Sequence, residues 1–188
     1  MRIFFSSDTH YFHENIIKYC ERPFVSVADM NEFMINEWNS VVNDDDIAFH
    51  LGDLSLLRPV NSEPLSVIIS RLNGKKILVK GNHDKDSNEF LIKSGFKRVC
   101  ESLNLGKVFL FHYPLHGMNS EKLRDSTSRE ISHVVHGHIH TKDTPNLENH
   151  YNVSADRHAF KPVQMFDAIP QRLHEDFIAE SRTLFNLT

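Results

Sequence analysis

Cysteine is scarce in this chain: Cys20 and Cys100 are the only two among 188 residues, and neither has a partner at disulfide-framework or metal-finger spacing. That excludes a disulfide scaffold and a cysteine zinc finger. It points to free thiols in a reducing, cytoplasmic compartment. Long apolar runs are missing as well, so no segment reads as a membrane span. The N-terminal Ile3-Phe4-Phe5 passes at once into Ser6-Ser7-Asp8 and reads as a first strand rather than a signal peptide. Nor is there a basic stripe. Lys and Arg number 21 against 25 Asp and Glu, a net charge of −4. A strong nucleic-acid-binding face is thereby unsupported, while a nucleic-acid substrate stays open. No internal repeat, low-complexity tract or linker interrupts the chain. With 40% apolar and 24% charged residues it reads as one globular domain over 1–188, with 170–188 as a C-terminal helical tail.

Histidine, in contrast, is abundant, with thirteen residues. Many stand beside aspartates or glycines at the ends of apolar runs, which suggests transition-metal ligation. Strands are predicted at Arg2–Phe5, Ile47–Leu51, Lys75–Lys80, Arg98–Leu103, Val108–Phe111, Ile131–Val135, Tyr151–Ser154 and Val163–Phe166. Helices alternate with them. One short helix covers His13–Cys20. A longer one follows the capping pattern Ser26-Val27-Ala28-Asp29, and its stripe of Met30, Phe33, Met34, Trp38, Val41 and Val42 reads as core packing. A third runs from Ser62-Glu63-Pro64 to Asn73-Gly74. A fourth starts at Asp86 or Ser87 and ends at Gly95, and a last one begins at Gln171. Asp44-Asp45-Asp46 reads as a solvated turn, since no calcium-loop ligands follow it. The stretch 116–130 is polar and reads as a loop. The alternation gives an α/β fold with two mixed sheets.

Five predicted strand ends deliver metal-competent groups: Asp8 and His10; Asp53; Asn82 and His83; His112; and His138 and His140. Asp8-x-His10, if extended, would project both side chains to one side. Gly52, Gly81 and Gly137 stand beside three of these ends, where backbone must approach closely or turn with positive φ. Each signal is weak alone. Random placement would scatter such residues over helices and surface turns, and here they share the C-terminal ends of buried strands, where α/β proteins place chemistry.

In this order, Asp8-x-His10, Gly52-Asp53, Gly81-Asn82-His83-Asp84, His112 and Gly137-His138-x-His140 resemble the motif set of the calcineurin-like metallophosphoesterases. The wording around 8–24 and 151–163 is similar to that of small bacterial and phage phosphoesterases within the family. The resemblance implies a four-layer α/β/β/α sandwich of two mixed β-sheets flanked by helices. It also implies a dinuclear metal site: one ion held by Asp8, His10 and His140, the other by Asn82, His112 and His138, with Asp53 bridging. Two ions roughly 3.5–4 Å apart can lower the pKa of a bridging water and clamp phosphate oxygens. Carboxylate, amide and imidazole ligands suit Mn²⁺ first, with Fe, Zn²⁺ or Ni²⁺ as alternatives, better than Ca²⁺. His83 is the catalytic imidazole of the resemblance, stabilising phosphoryl oxygens or protonating the leaving group, and Asp84 is expected to fix its tautomer.

After Gly52-Asp53 the sequence runs Leu54-Ser55-Leu56-Leu57-Arg58 and lacks the Asp-Arg pair of the protein phosphatases, which argues against that activity. The expected function is therefore a metal-dependent phosphoric ester hydrolase. More finely, it is a phosphodiesterase on a small or nucleotide-derived ester, working by attack of metal-bound hydroxide. The alternatives are a nuclease on single strands or a non-catalytic scaffold, and the complete ligand set counts against the scaffold. His13 and His116, close to ligand histidines, are candidates for substrate binding. Arg22 and Arg124 read as solvated surface. His50, His133, His136, His150, His158 and His174 read as structural or surface residues, and Asp156-Arg157 as support behind the site.

Overall fold

A computed structural model describes residues 1–57, 63–115, 130–143 and 149–186. In chain order its elements are β1 (Ile3–Ser6), α1 (Glu14–Tyr19), α2 (Val27–Val41), β2 (Ile47–His50), α3 (Glu63–Arg71), β3 (Lys75–Val79), α4 (Asn88–Ser94) and β4 (Phe96–Cys100). There follow β5 (Ser102–Leu105), β6 (Val108–Phe111), β7 (His133–His136), β8 (His150–Asn152), β9 (Val163–Gln164), α5 (Met165–Ala168) and α6 (His174–Thr183). One sheet has the order β4-β3-β2-β1-β9 and the other β5-β6-β7-β8. In the first, helical crossovers keep β1 to β4 parallel, and β9 pairs antiparallel with β1. In the second, β5 and β6 form an antiparallel hairpin, and β6, β7 and β8 run parallel.

The period-two pattern decides the layers. Ile3, Phe5, Ile47, Phe49, Ile77 and Val79 face the second sheet and pack with Leu103, Leu105, Val108, Leu110 and Val135. The intervening Phe4, Ala48 and Leu78 face the other way, against Met30, Met34 and Trp38 of α2, Leu65 and Ile69 of α3, and Leu91 of α4. Strands covered on both faces read as continuous apolar runs, which is why these were legible. Ser26 caps α2 by accepting the Asp29 N–H, and Ser87 caps α4 by accepting the Phe90 N–H. Trp38 is buried and donates Nε1–H to the Asn73 carbonyl at 3.0 Å. It is core, as its spacing indicated.

Three expectations change. The single strand predicted over Arg98–Leu103 is two strands in different sheets: β4 pairs with β3, and after Glu101 the chain enters β5, paired with β6. Local periodicity cannot say which ladder a strand joins. The strand predicted over Val163–Phe166 stops at Gln164, where α5 begins and turns Met165 and Ala168 into the core between the sheets. The triple-aspartate turn is only partly solvated. Asp46 is buried and accepts the Arg2 N–H at 2.6 Å, the Arg2 guanidinium at 2.7 Å and the Asn43 N–H at 3.0 Å.

Candidate active site

β1, β2, β3, β6 and β7 release their metal-competent residues at one end of the sandwich, where a bridge between Ser7 and Ser154 ties the two sheets together. The approach is close. A Cβ on Gly81 would run into Asp53 Oδ1 and its amide nitrogen, and one on Gly137 would meet Asp8 Oδ2 and Ser7 Oγ. Asp8, His10, Asp53, His138 and His140 all have positive φ, between 51° and 73°. Such conformations cost on the order of 1–3 kcal/mol each and persist where the surroundings impose them. Asp8 and His10 are therefore not extended. They turn out of the strand, held by Asp8 N–H to the Gly52 carbonyl at 2.9 Å and His10 N–H to the Asp53 carbonyl at 3.0 Å.

Two sets of donors result. Asp8, His10 and His140 bring one ligand atom each within 4.8 Å of one another, and so do Asp53, His112 and His138. Asp53 Oδ2 stands between them, 3.6 Å from His10 Nε2 and 3.4 Å from His112 Nε2. His138 Nδ1 lies 3.2 Å from His112 Nε2. The Asn82 amide oxygen accepts from the Tyr113 hydroxyl at 3.3 Å, and the Tyr113 ring packs 4.6 Å from that of His138. Asp8 is fully buried. Its carboxylate accepts the His138 N–H at 3.0 Å and the hydroxyls of Ser7 at 2.6 Å and Ser154 at 2.8 Å.

These residues fit divalent ions on their own chemistry. Among the described residues, both ring nitrogens of His10 are buried without a hydrogen-bond partner, a cost of about 1–3 kcal/mol per group that coordination would remove. Burial lowers the His10 pKa to about 2 against the pull of Asp53, so the ring is neutral, as a ligand must be. Burial likewise lowers that of His138. Burial would raise the Asp53 carboxyl, but the His112 hydrogen bond and charge and the His83 N–H outweigh it and hold it well below the usual carboxylate range. Nitrogen and oxygen donors of this mix suit first-row transition ions.

His83 does not join either set. Half-exposed, it faces the cleft with Nε2 3.9 Å from Asp53 Oδ2. His13 lines the same cleft, its ring 5.3 Å from that of His10. The cleft measures about 470 Å³, and Ile16, Tyr19 and Ile139 give it an apolar wall. His116 and Arg124 lie outside the described residues.

The expected pairing of Asp84 with the His83 ring is not what the carboxylate does. Its Oδ2 accepts the N–H groups of Asp53 and Gly81, both at 2.8 Å, and its Oδ1 accepts that of Leu54 at 2.9 Å. Asp84 therefore fixes the Gly52-Asp53 turn against the Gly81 turn. Burial pushes its carboxyl up to about 6 despite these donors.

Arg22 is not solvated surface but buried, bound to Asp156 and to the carbonyls of Asp8 and Thr9. Asp156 also accepts from His140 Nδ1 at 2.7 Å. Arg157 turns away, to the Thr141 carbonyl and Asp143. Ser7, Ser154 and Tyr113 were missed from sequence, which carries no signal separating them from ordinary polar strand residues. His50 is structural, bonded to Thr9 Oγ1 at 3.0 Å and stacked on Trp38.

The chain is 36% identical over 172 residues to the uncharacterized protein MJ1445 of Methanocaldococcus jannaschii, covering 87% of each. It also resembles the crystal structure of AQ665 from Aquifex aeolicus, a protein of unknown function. That likeness has a TM-score of 0.65 at 27% identity and covers 87% of this chain and 95% of the other. Residues 1–155 match the family profile of the calcineurin-like phosphoesterase superfamily domain. Two mixed sheets flanked by helices agree with that match: the chain belongs to the calcineurin-like phosphoesterase superfamily.

Proposed function

We propose that this protein is a dinuclear-metal-dependent phosphodiesterase acting on a small or nucleotide-derived ester. One observation carries the reading: a single carboxylate oxygen, Asp53 Oδ2, lies within 3.6 Å of a histidine from each of two ligand sets. Asp8, His10 and His140 would hold one ion; Asn82, His112 and His138 the other; Asp53 would be shared. Mn²⁺ is the first choice. When bound, the pair supplies a lowered pKa for a coordinated water and charge for the phosphate oxygens.

The chain's own groups do the rest. His83, which lines the cleft with Nε2 3.9 Å from Asp53 Oδ2, would donate to a phosphoryl oxygen or to the departing ester oxygen. Asp84 holds the two turns that carry Asp53 and Asn82–His83 in fixed separation. His13 lines the cleft, and the wall of Ile16, Tyr19 and Ile139 is suited to the organic part of a diester. The 470 Å³ cleft matches a small ligand better than a duplex.

The test is hydrolysis of bis-p-nitrophenyl phosphate and p-nitrophenyl phosphate with Mn²⁺ or with chelator. Wild type should cleave the diester faster than the monoester and lose activity with chelator. Asp53→Asn should lower kcat/KM by about 10²-fold or more, since a shared ligand touches both ions. Metal-independent cleavage, or an unaffected Asp53→Asn enzyme, would sink the proposal.

A further inference from the structure

Behind His140 lies a half-buried cluster of which the proposed chemistry uses His140 alone. Cys20, His140 and Asp156 bring Sγ, a ring nitrogen and a carboxylate oxygen within 4.8 Å of one another. Taken alone this resembles a further metal site. The hydrogen bonds argue otherwise. Asp156 Oδ1 accepts Arg22 Nε–H at 2.7 Å, and Oδ2 accepts both Arg22 Nη2–H at 2.9 Å and His140 Nδ1 at 2.7 Å. The carboxylate is committed to a planar two-toothed pair with a cation, which an incoming ion would have to displace.

Arg22 is equally committed. Its remaining donors reach the Thr9 carbonyl at 2.8 Å, the Asp8 carbonyl at 2.7 Å and the Met30 sulfur at 3.4 Å. All five N–H groups of the guanidinium thus have an acceptor. Its side chain has no exposed surface, and that of Asp156 has 3%. The two carbonyls it holds belong to the Asp8–His10 turn, whose residues 8 and 10 have φ of 56° and 52°. Asp156 comes from the short 3-10 turn Ala155–Arg157 after β8, docked just past the end of β1 through Ala155 N–H to the Ser7 carbonyl at 2.9 Å. One ion pair therefore holds both the Asp8–His10 turn and His140, ligands from two separate segments. Among the described residues, no hydrogen bond of the pair goes to Asn82, His112 or His138.

We propose that Arg22 and Asp156 are positioning residues for one of the two metal positions only. Asp156 keeps His140 protonated at Nδ1 and turns Nε2 toward Asp8 Oδ1, 3.9 Å away. Arg22 neutralises the buried carboxylate and pins the strained turn that presents Asp8 and His10. Carboxylate partners of this kind orient ligand histidines and raise their basicity. The inference rests on the dinuclear reading and adds an asymmetry to it. The position of Asp8, His10 and His140 depends on the pair, and that of Asn82, His112 and His138 does not.

The experiment is calorimetric titration of the metal-free protein with Mn²⁺, for wild type, Asp156→Asn and Asp46→Asn. The last removes a buried carboxylate from an Arg pair remote from the site and controls for general destabilisation. Wild type and Asp46→Asn should bind two equivalents. Asp156→Asn should keep one equivalent at unchanged affinity and bind the other about 10- to 100-fold more weakly. Equal weakening of both positions, or of neither, would overturn the asymmetry. A third wild-type equivalent lost in Asp156→Asn would make the cluster itself a metal site and overturn it too. Wild type that binds no Mn²⁺ would remove the dinuclear reading and this inference together. Nitrogen-15 spectra of zinc-loaded wild type need no variant. His140 should be protonated at Nδ1, and a ring protonated at Nε2 refutes the role of Asp156.

Discussion

Asp84 shows how a residue in a functional motif can act without touching the chemistry. It sits next to His83, yet its two oxygens serve three backbone donors on two turns, Gly81 on one and Asp53 and Leu54 on the other. Truncation to alanine strands those N–H groups in a buried place, and each unmet donor costs about 1–3 kcal/mol. Asp84→Ala should therefore lose about 3 kcal/mol in urea unfolding, with diesterase activity falling alongside it as the Asp53 turn moves. Asp84→Asn keeps the volume and one acceptor oxygen and should lose less. An alanine variant as stable as wild type would show that the turn is held by other means. Arg22 and Asp156 make the same point from farther away. Their pairing spans 134 positions, so nothing local marks either of them as part of the site.

At the scale of elements, the start of β1 is locked to the turn before β2. Arg2 donates from both its backbone and its guanidinium to Asp46, and Asn43 adds a third donor. Burial alone would raise the Asp46 pKa, but the Arg2 hydrogen bonds and the Asn43 N–H outweigh it and leave it lowered. A carboxyl with a lowered folded-state pKa contributes stability above its unfolded pKa, about 3.9, and loses that contribution as pH falls through the folded value. Asp46→Asn should thus be less stable than wild type at neutral pH, with the difference closing below about pH 4. Unfolding curves at several pH values check this. A gap that stayed constant or widened in acid would assign the effect to shape rather than charge.

For the whole molecule, the inter-sheet core is completed from the C-terminus. Phe177 of α6 is fully buried, its ring 5.7 Å from Phe5 and 5.9 Å from Phe49. Those two rings belong to β1 and β2, the strands that carry Asp8, His10 and Asp53 to the site. Phe177→Ala should cost about 3–5 kcal/mol through the cavity it leaves. The measurement is urea unfolding of the metal-free protein. A loss under about 1 kcal/mol would mean that the sheets close over the gap.

The sequence by itself determined the alternation of helices and strands, the apolar strand cores, the cap at Ser26, and the family motifs at five strand ends. All of these depend on residues close together in the chain, where periodicity, turn chemistry and spacing act directly. Tertiary structure alone decided that the stretch from Arg98 to Leu103 divides between two sheets, because ladder partners are remote and the pattern within a strand is the same in either. It alone decided that Asp8 and His10 leave β1 with positive φ, since the carbonyls of Gly52, Asp53 and Leu54 that receive residues 8, 10 and 11 come from another segment. Asp84 bonds backbone rather than His83 because folding sets the Asp53 and Gly81 turns against each other. Arg22, which reads as surface charge after a short helix, is buried because only the folded chain brings the Asp156 carboxylate to it.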